Sequence, residues 1–247
     1  LKMSRMISYV AFAAVMLVMS IIYGYQEILF KPPQGLHQWR QADCLSITDN
    51  YSDDDAHFLE GEIHYRGGMG SGKTMSEFPV FYYLIGRVWS TFGRNEVVFR
   101  CVVLILFYVA MFALFASLSA ILKDRILSLF ITTLMFTSPM LAFYANNFLM
   151  NVPALSMVFI GWRLVQIYTQ SFRPWPLVLG ILFFMIAGLL KASAGLSLIV
   201  VFGLFLIRST KWSLNLLGIP HVPYRLLGLS TSMASFVVLA TWYKYSH

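Results

Sequence analysis

The chain has 247 residues, of which 58% are hydrophobic and 12% charged, and a formal net charge of +7. Several near-continuous apolar runs each reach about twenty residues, the length of helix that crosses a bilayer core, which excludes a soluble domain and indicates an all-α polytopic membrane protein. Most basic residues sit at the ends of these runs, where they anchor and orient helices, so no basic stripe remains for nucleic acid.

In chain order, Lys2 and Arg5 precede an apolar run from Ile7 that continues through Tyr23, Tyr25 and Phe30. These bulky residues suit an interfacial belt better than a small-residue cleavage site, so the run reads as an uncleaved first span over 7–28. Further spans are expected over 97–121, 126–144, 150–169, 176–190, 193–208 and 226–243, about seven in all. The apolar stretch from Trp175 to Ile207 is broken near Lys191, because a lysine is costly at the bilayer centre and tolerated at a helix end. Lys2, Arg5, Lys123, Arg125, Arg173, Arg208, Lys211 and Arg225 then fall on one side of the membrane, which makes the N-terminus cytoplasmic. The whole chain, 1–247, reads as a single transmembrane domain.

Nine of the eleven carboxylates, from Asp43 to Glu96, lie in the loop 31–96 between the first two spans, on the extracytoplasmic side of this topology. Within it, Gln38 to Tyr51 is a helix candidate with Trp39, Asp43 and Ser46 or Ile47 along one side. From Phe78 onward, Phe81, Tyr82, Ile85, Val88, Trp89 and Phe92 recur at helical spacing, with Ser76 as N-cap and Pro79 in the first turn, which predicts an amphipathic helix lying on the membrane. Ser52 to Thr74 is acidic, then glycine-rich, and reads as a mobile gating loop.

Gly67 to Thr74 fits the phosphate-loop pattern GxxxxGK[ST], but that pattern works between a strand and a helix of an α/β sheet, and neither that setting nor the predicted side of the membrane suits a nucleotide. Cys44 and Cys101 have no metal or disulfide spacing and read as small fillers; a divalent metal is not indicated. The segment Gly35 to Asp43 places His37, Trp39, Arg40 and Asp43 directly after a span. An interfacial anchor accounts for the tryptophan and arginine alone. A titratable base beside a phosphate-binding cation is what group transfer from a phosphorylated donor needs.

This segment, Ser76 to Leu84, Phe92 to Glu96 with Arg100, Ser138-Pro139 with Tyr144, and Leu189-Leu190-Lys191 together resemble the ordered motifs of the GT-C membrane glycosyltransferases, in particular the bacterial relatives of protein O-mannosyltransferases and aminoarabinose transferases. The resemblance implies a large first extracytoplasmic loop with interfacial helices, a polyprenyl-phosphate-linked sugar donor, and a loop carboxylate acting as base in an inverting transfer. It also implies a bacterial cytoplasmic (inner) membrane and an acceptor that is an envelope glycan, lipid or protein. Relatives commonly carry an acidic residue, often an Asp-Glu pair, just after the first span, where this chain reads His37-Gln38-Trp39-Arg40 with Asp43 as the nearest acid; a polar position at the head of the fourth span, often acidic in relatives, is Asn151. Relatives also continue past a seventh span, so the chain is expected to be the N-terminal portion of a longer enzyme.

The resulting expectation is a glycosyltransferase in which Asp43 or Glu77 deprotonates the acceptor hydroxyl, with His37 as alternative base or orienter. Arg40 and Lys191 hold the lipid phosphate, Arg66 and Lys73 close over the sugar, and Trp39, Tyr144 and Asn151 complete the substrate site. The competing classes are a flippase or transporter of lipid-linked saccharides, which predicts ionisable residues within spans and internal repeats, and a non-catalytic assembly subunit.

Overall fold

In the computed structural model, residues 4–53, 55–65, 72–74, 77–209 and 225–246 are described, and among them the chain is all-helical with no strand. The helices are α1 (Arg5–Ile22), α2 (Tyr25–Ile28), α3 (Gln38–Asn50), α4 (Val80–Phe92), α5 (Glu96–Leu122), α6 (Arg125–Phe136), α7 (Pro139–Ala145), α8 (Asn151–Ser171), α9 (Pro174–Leu190), α10 (Leu196–Ser209) and α11 (Arg225–Ser246), with a 3-10 turn at Ala192–Gly195. Four of them, α1, α5, α8 and α11, are long and apolar enough to cross a membrane, and a bent pair, α6 with α7, could make a fifth. α9 and α10 are shorter apolar helices.

The chain divides into two compact units, Leu1–Tyr108 with Asp124–Val152 and Val109–Lys123 with Pro153–His247. In the first, α1 presents Ser8, Phe12, Met16 and Ser20 at steps of four, and α6 answers with Ser128, Thr132 and Phe136 at the same spacing; all seven are buried. Small and hydroxylated residues let two helices approach closely in a lipid setting, where apolar burial gives little net drive. Their hydroxyls are satisfied within the bundle: Ser20 donates to the Met16 carbonyl at 2.7 Å and lies 2.8 Å from the Tyr108 hydroxyl. The first half of α5 closes this core through Phe99, Val103 and Phe107, with Phe107 stacked on Phe136 and Phe99 edge-on to Phe148.

In the second unit α9 packs against α11 and α10. Gly161 of α8 and Gly180 of α9 meet at backbone distance: a β-carbon on Gly180 would lie 3.0 Å from the Gly161 carbonyl oxygen, and one on Gly161 only 2.7 Å from the Phe184 ring. The break at Lys191 falls where the cost of a central lysine places it. α9 stops at Leu190, Lys191 adopts an extended conformation, and the chain restarts through the 3-10 turn.

Two expected spans are interrupted. The run 7–28 is divided at Gly24, whose φ of 65° is a left-handed conformation that ends α1 and starts the short α2. The run 126–144 bends by 67° between α6 and α7. Pro139 has no N–H to give and drives Ser138 into an extended conformation, so the helix cannot run through.

Candidate functional site

α3 and α4, both from the loop 31–96, pack together in the first unit with their contacts advancing in the same chain direction, Cys44 beside Tyr82 and Thr48 beside Gly86, and one glycine sets the approach. A β-carbon on Gly86 would lie 2.6 Å from the Thr48 carbonyl oxygen and 2.7 Å from the Tyr51 Cβ, so only glycine permits this approach. α3 buries Gln41, Cys44, Leu45 and Thr48, and α4 buries Tyr82, Ile85, Gly86 and Trp89, each a stripe at steps of three and four. α4 begins at Val80 with Pro79 in the cap position, two residues later than the apolar pattern suggests; the proposed Ser76 cap lies outside the described residues. Leu84, Val88 and Phe92 form a second, exposed apolar stripe at steps of four, as an interfacial helix requires.

The pair brings together three of the expected site residues. Glu77, almost fully buried, accepts from Arg40 Nη2 at 3.0 Å on one oxygen and from the Tyr82 hydroxyl at 2.6 Å on the other. The Tyr82 hydroxyl also lies 3.2 Å from Cys44 Sγ. Burial pushes the Tyr82 phenol well above its usual range, with Cys44 and Glu77 adding to the effect, so it stays protonated as a donor. At Arg40, burial works against the charge, but Glu77 outweighs it and holds the guanidinium above its ordinary value.

Asp43, one turn from Arg40 on α3, is half-buried and has no hydrogen-bond partner among the described residues. Burial raises its carboxyl above the usual carboxylate range, partly opposed by Arg40. The two candidate bases therefore differ in kind. Glu77 is an anchored carboxylate that positions Arg40 and Tyr82, whereas Asp43 is an open carboxylate whose proton affinity is raised, which is the character a general base needs.

His37 sits at the N-terminal cap position of α3 in a left-handed conformation, exposed, with its ring centroid 6.4 Å from that of Tyr144 on α7. Trp39 is 67% exposed, a large apolar surface at the head of α3. Asn151 is exposed at the start of α8. Lys73 is paired with Glu60 at 2.6 Å, and it pulls that carboxyl below its usual value; residues 62 and 73 also form an isolated β-bridge. Lys191 belongs to the second unit, and Arg66 and the glycine run 67–71 lie outside the described residues. A separate polar cluster, Arg94 with Asp49 at 2.9 Å and Glu96 at 3.1 Å, ties the end of α3 to the start of α5.

Tyr82 and Cys44 are site-shaping residues that the sequence does not announce. The only signal for Tyr82 is its place on the buried stripe of α4, where a phenol must find a partner. Among the described residues no group of three His, Cys, Asp or Glu side chains is placed to hold a metal ion. No family model, curated protein or solved structure matches the chain.

Proposed function

We propose that the chain is the membrane domain of a GT-C-type glycosyltransferase that moves a sugar from a polyprenyl-phosphate donor to an acceptor on the extracytoplasmic face of a bacterial inner membrane. The observation that carries this reading is the arrangement on α3: an open carboxylate of raised proton affinity, Asp43, one turn from a guanidinium, Arg40, that a buried carboxylate holds in place. In this reading the bent pair, α9 and α10 each make a crossing, giving seven, and the exposed stripe of α4 rests on the membrane surface.

The chemistry follows from the two groups. Asp43 takes the proton of the acceptor hydroxyl as its oxygen attacks the anomeric carbon; the bond from that carbon to the phosphate oxygen breaks, and the phosphate leaves with the lipid carrier. Charge grows on the leaving phosphate, and a fixed cation such as Arg40 stabilises it more than it stabilises the bound donor. Glu77 keeps Arg40 aimed, and His37 with Tyr144 borders the entrance to α3. Trp39 offers an aromatic face to a sugar or prenyl chain. Asn151, Arg66 and Lys73 are further substrate contacts in this proposal.

The test is turnover of a radiolabelled polyprenyl-phosphate sugar by the purified protein in lipid nanodiscs, with an envelope extract as acceptor source. Acceptor-dependent release of polyprenyl phosphate is the expected result. Transbilayer movement of the donor without release would place the chain among flippases instead.

A further inference from the structure

The first unit contains a half-open pocket of about 240 Å³ that no part of the transfer chemistry uses. It is far larger than the roughly 30 Å³ that one water occupies in the liquid. Its wall runs from Gln34 and Phe143, both exposed, down to Arg100, Asn146 and Asn147, which are at most 3% exposed.

Arg100 is held without being neutralised. Its guanidinium lies 4.4 Å from the Phe148 ring centroid and Nη2 donates to the Pro32 carbonyl at 3.4 Å, while Nε and Nη1 are buried with no partner. Among the described residues no carboxylate lies within ion-pair distance of it; Glu96, one turn earlier on α5 and held by Arg94, acts on it only through its field. The two asparagines are fixed in orientation by their neighbours. Asn146 donates Nδ2 to the Tyr25 carbonyl, leaving Oδ1 without a donor, and Asn147 accepts from the Leu149 amide on Oδ1, leaving Nδ2 without an acceptor. Buried polar atoms of this kind ordinarily have partners. Three open donors, two of them on the cationic guanidinium, and one open acceptor describe the complement of a singly protonated phosphate monoester: oxygens for Nε, Nη1 and Nδ2, and a P–OH for Asn146 Oδ1.

The surroundings favour a lipid as the bearer of that phosphate. Arg100 is in the second turn of α5, roughly 6 Å along the helix from its first residue, a depth suited to headgroups. Phe143, on the pocket wall, and Leu36 and Met140, close in sequence to the lining residues Gln34 and Ala142, are exposed apolar side chains, and a β-carbon on Gly35 would lie only 3.2 Å from the Phe143 ring.

We infer that the pocket at Arg100, Asn146 and Asn147 is a binding site for the phosphate monoester headgroup of a membrane lipid. This holds whether or not the chain transfers sugar. The experiment uses the full chain in phosphatidylcholine nanodiscs with and without added phosphatidic acid, read by native mass spectrometry for retained lipid, with inorganic phosphate titrated separately by calorimetry. Retention of phosphatidic acid over phosphatidylcholine by about tenfold or more is expected, from the strength of hydrogen bonds to a charged group. Arg100→Gln should abolish the preference. Should that variant not fold, Asn147→Asp, which keeps the size and supplies Arg100 with a carboxylate of its own, should abolish it too. A preference unchanged in Asn147→Asp overturns the inference, as does saturable binding of inorganic phosphate with no preference among lipids.

Discussion

Asp43 and Glu77 are both acids of the same loop, yet their surroundings assign them different work, and each assignment has a measurable consequence. Because burial raises the folded-state value of Asp43 above that of the unfolded chain, its protonated form is favoured in the native state. The sign is therefore the reverse of the usual carboxylate: a cost appears as pH rises through the folded value and is absent below the unfolded one. Asp43→Asn should raise the melting temperature at neutral pH, and the gain should vanish as pH falls below the ordinary carboxylate range. Tyr82→Phe removes a donor to a buried Glu77 oxygen, and the loss of that hydrogen bond to a charged group should cost about 1–3 kcal/mol, measured by urea titration in detergent. At this scale the acids, His37 and Arg40 were legible because charged residues after a membrane span are conspicuous. The Arg40–Glu77–Tyr82–Cys44 chain was not, because it joins positions up to 38 residues apart and nothing in local spacing predicts which carboxylate an arginine will choose. Arg100 stood in a motif with no role attached, since its orphaned donors become visible only when the fold shows what does not surround it.

The helices of the loop depend on contacts rather than on propensity. α3 carries Asp49, Asn50, Ser46 and Thr48 and a mostly polar surface, so its stability comes from the stripe it buries against α4. Gly86→Ala should therefore be disproportionately damaging for an exchange that ordinarily favours a helix: the added methyl meets the Thr48 carbonyl and the Tyr51 Cβ, an overpacking that costs about 1–3 kcal/mol. Limited proteolysis within residues 31–96 should accelerate in this variant while the spans stay protected. α4 and the break at Lys191 were readable from apolar spacing and from the cost of a central charge, whereas α3 was read from Trp39, Asp43 and Ser46 or Ile47 along one side and instead buries chiefly Gln41, Cys44, Leu45 and Thr48. The interruption at Gly24 and the bend at Pro139 were not, because hydropathy averages over a run of residues, whereas a left-handed glycine or a missing N–H acts at a single position.

For the whole molecule, membrane crossing by at least α1, α5, α8 and α11 follows from length and composition, while the direction of crossing is proposed from the placement of lysine and arginine. With Cys44 and Cys101 replaced, a cysteine at Ser90 should react with an impermeant maleimide from outside the cell and one at Lys123 only after permeabilisation, because the two positions flank the two ends of α5. Apolar length made the membrane character plain from the sequence, but the division of the chain into two units was not foreseen. The central claim is that α3 carries the base of a glycosyl transfer, and one comparison tests it most directly: transfer from a polyprenyl-phosphate sugar by wild type, Asp43→Asn and Glu77→Gln, each with donor binding measured in parallel. An amide at position 43 keeps shape but cannot take the acceptor proton, so transfer should fall by about 10²–10⁴-fold with donor binding intact, whereas Glu77→Gln should weaken donor binding as well by loosening Arg40. Near-wild-type transfer in Asp43→Asn, with the loss confined to Glu77→Gln at unchanged donor binding, would contradict the assignment.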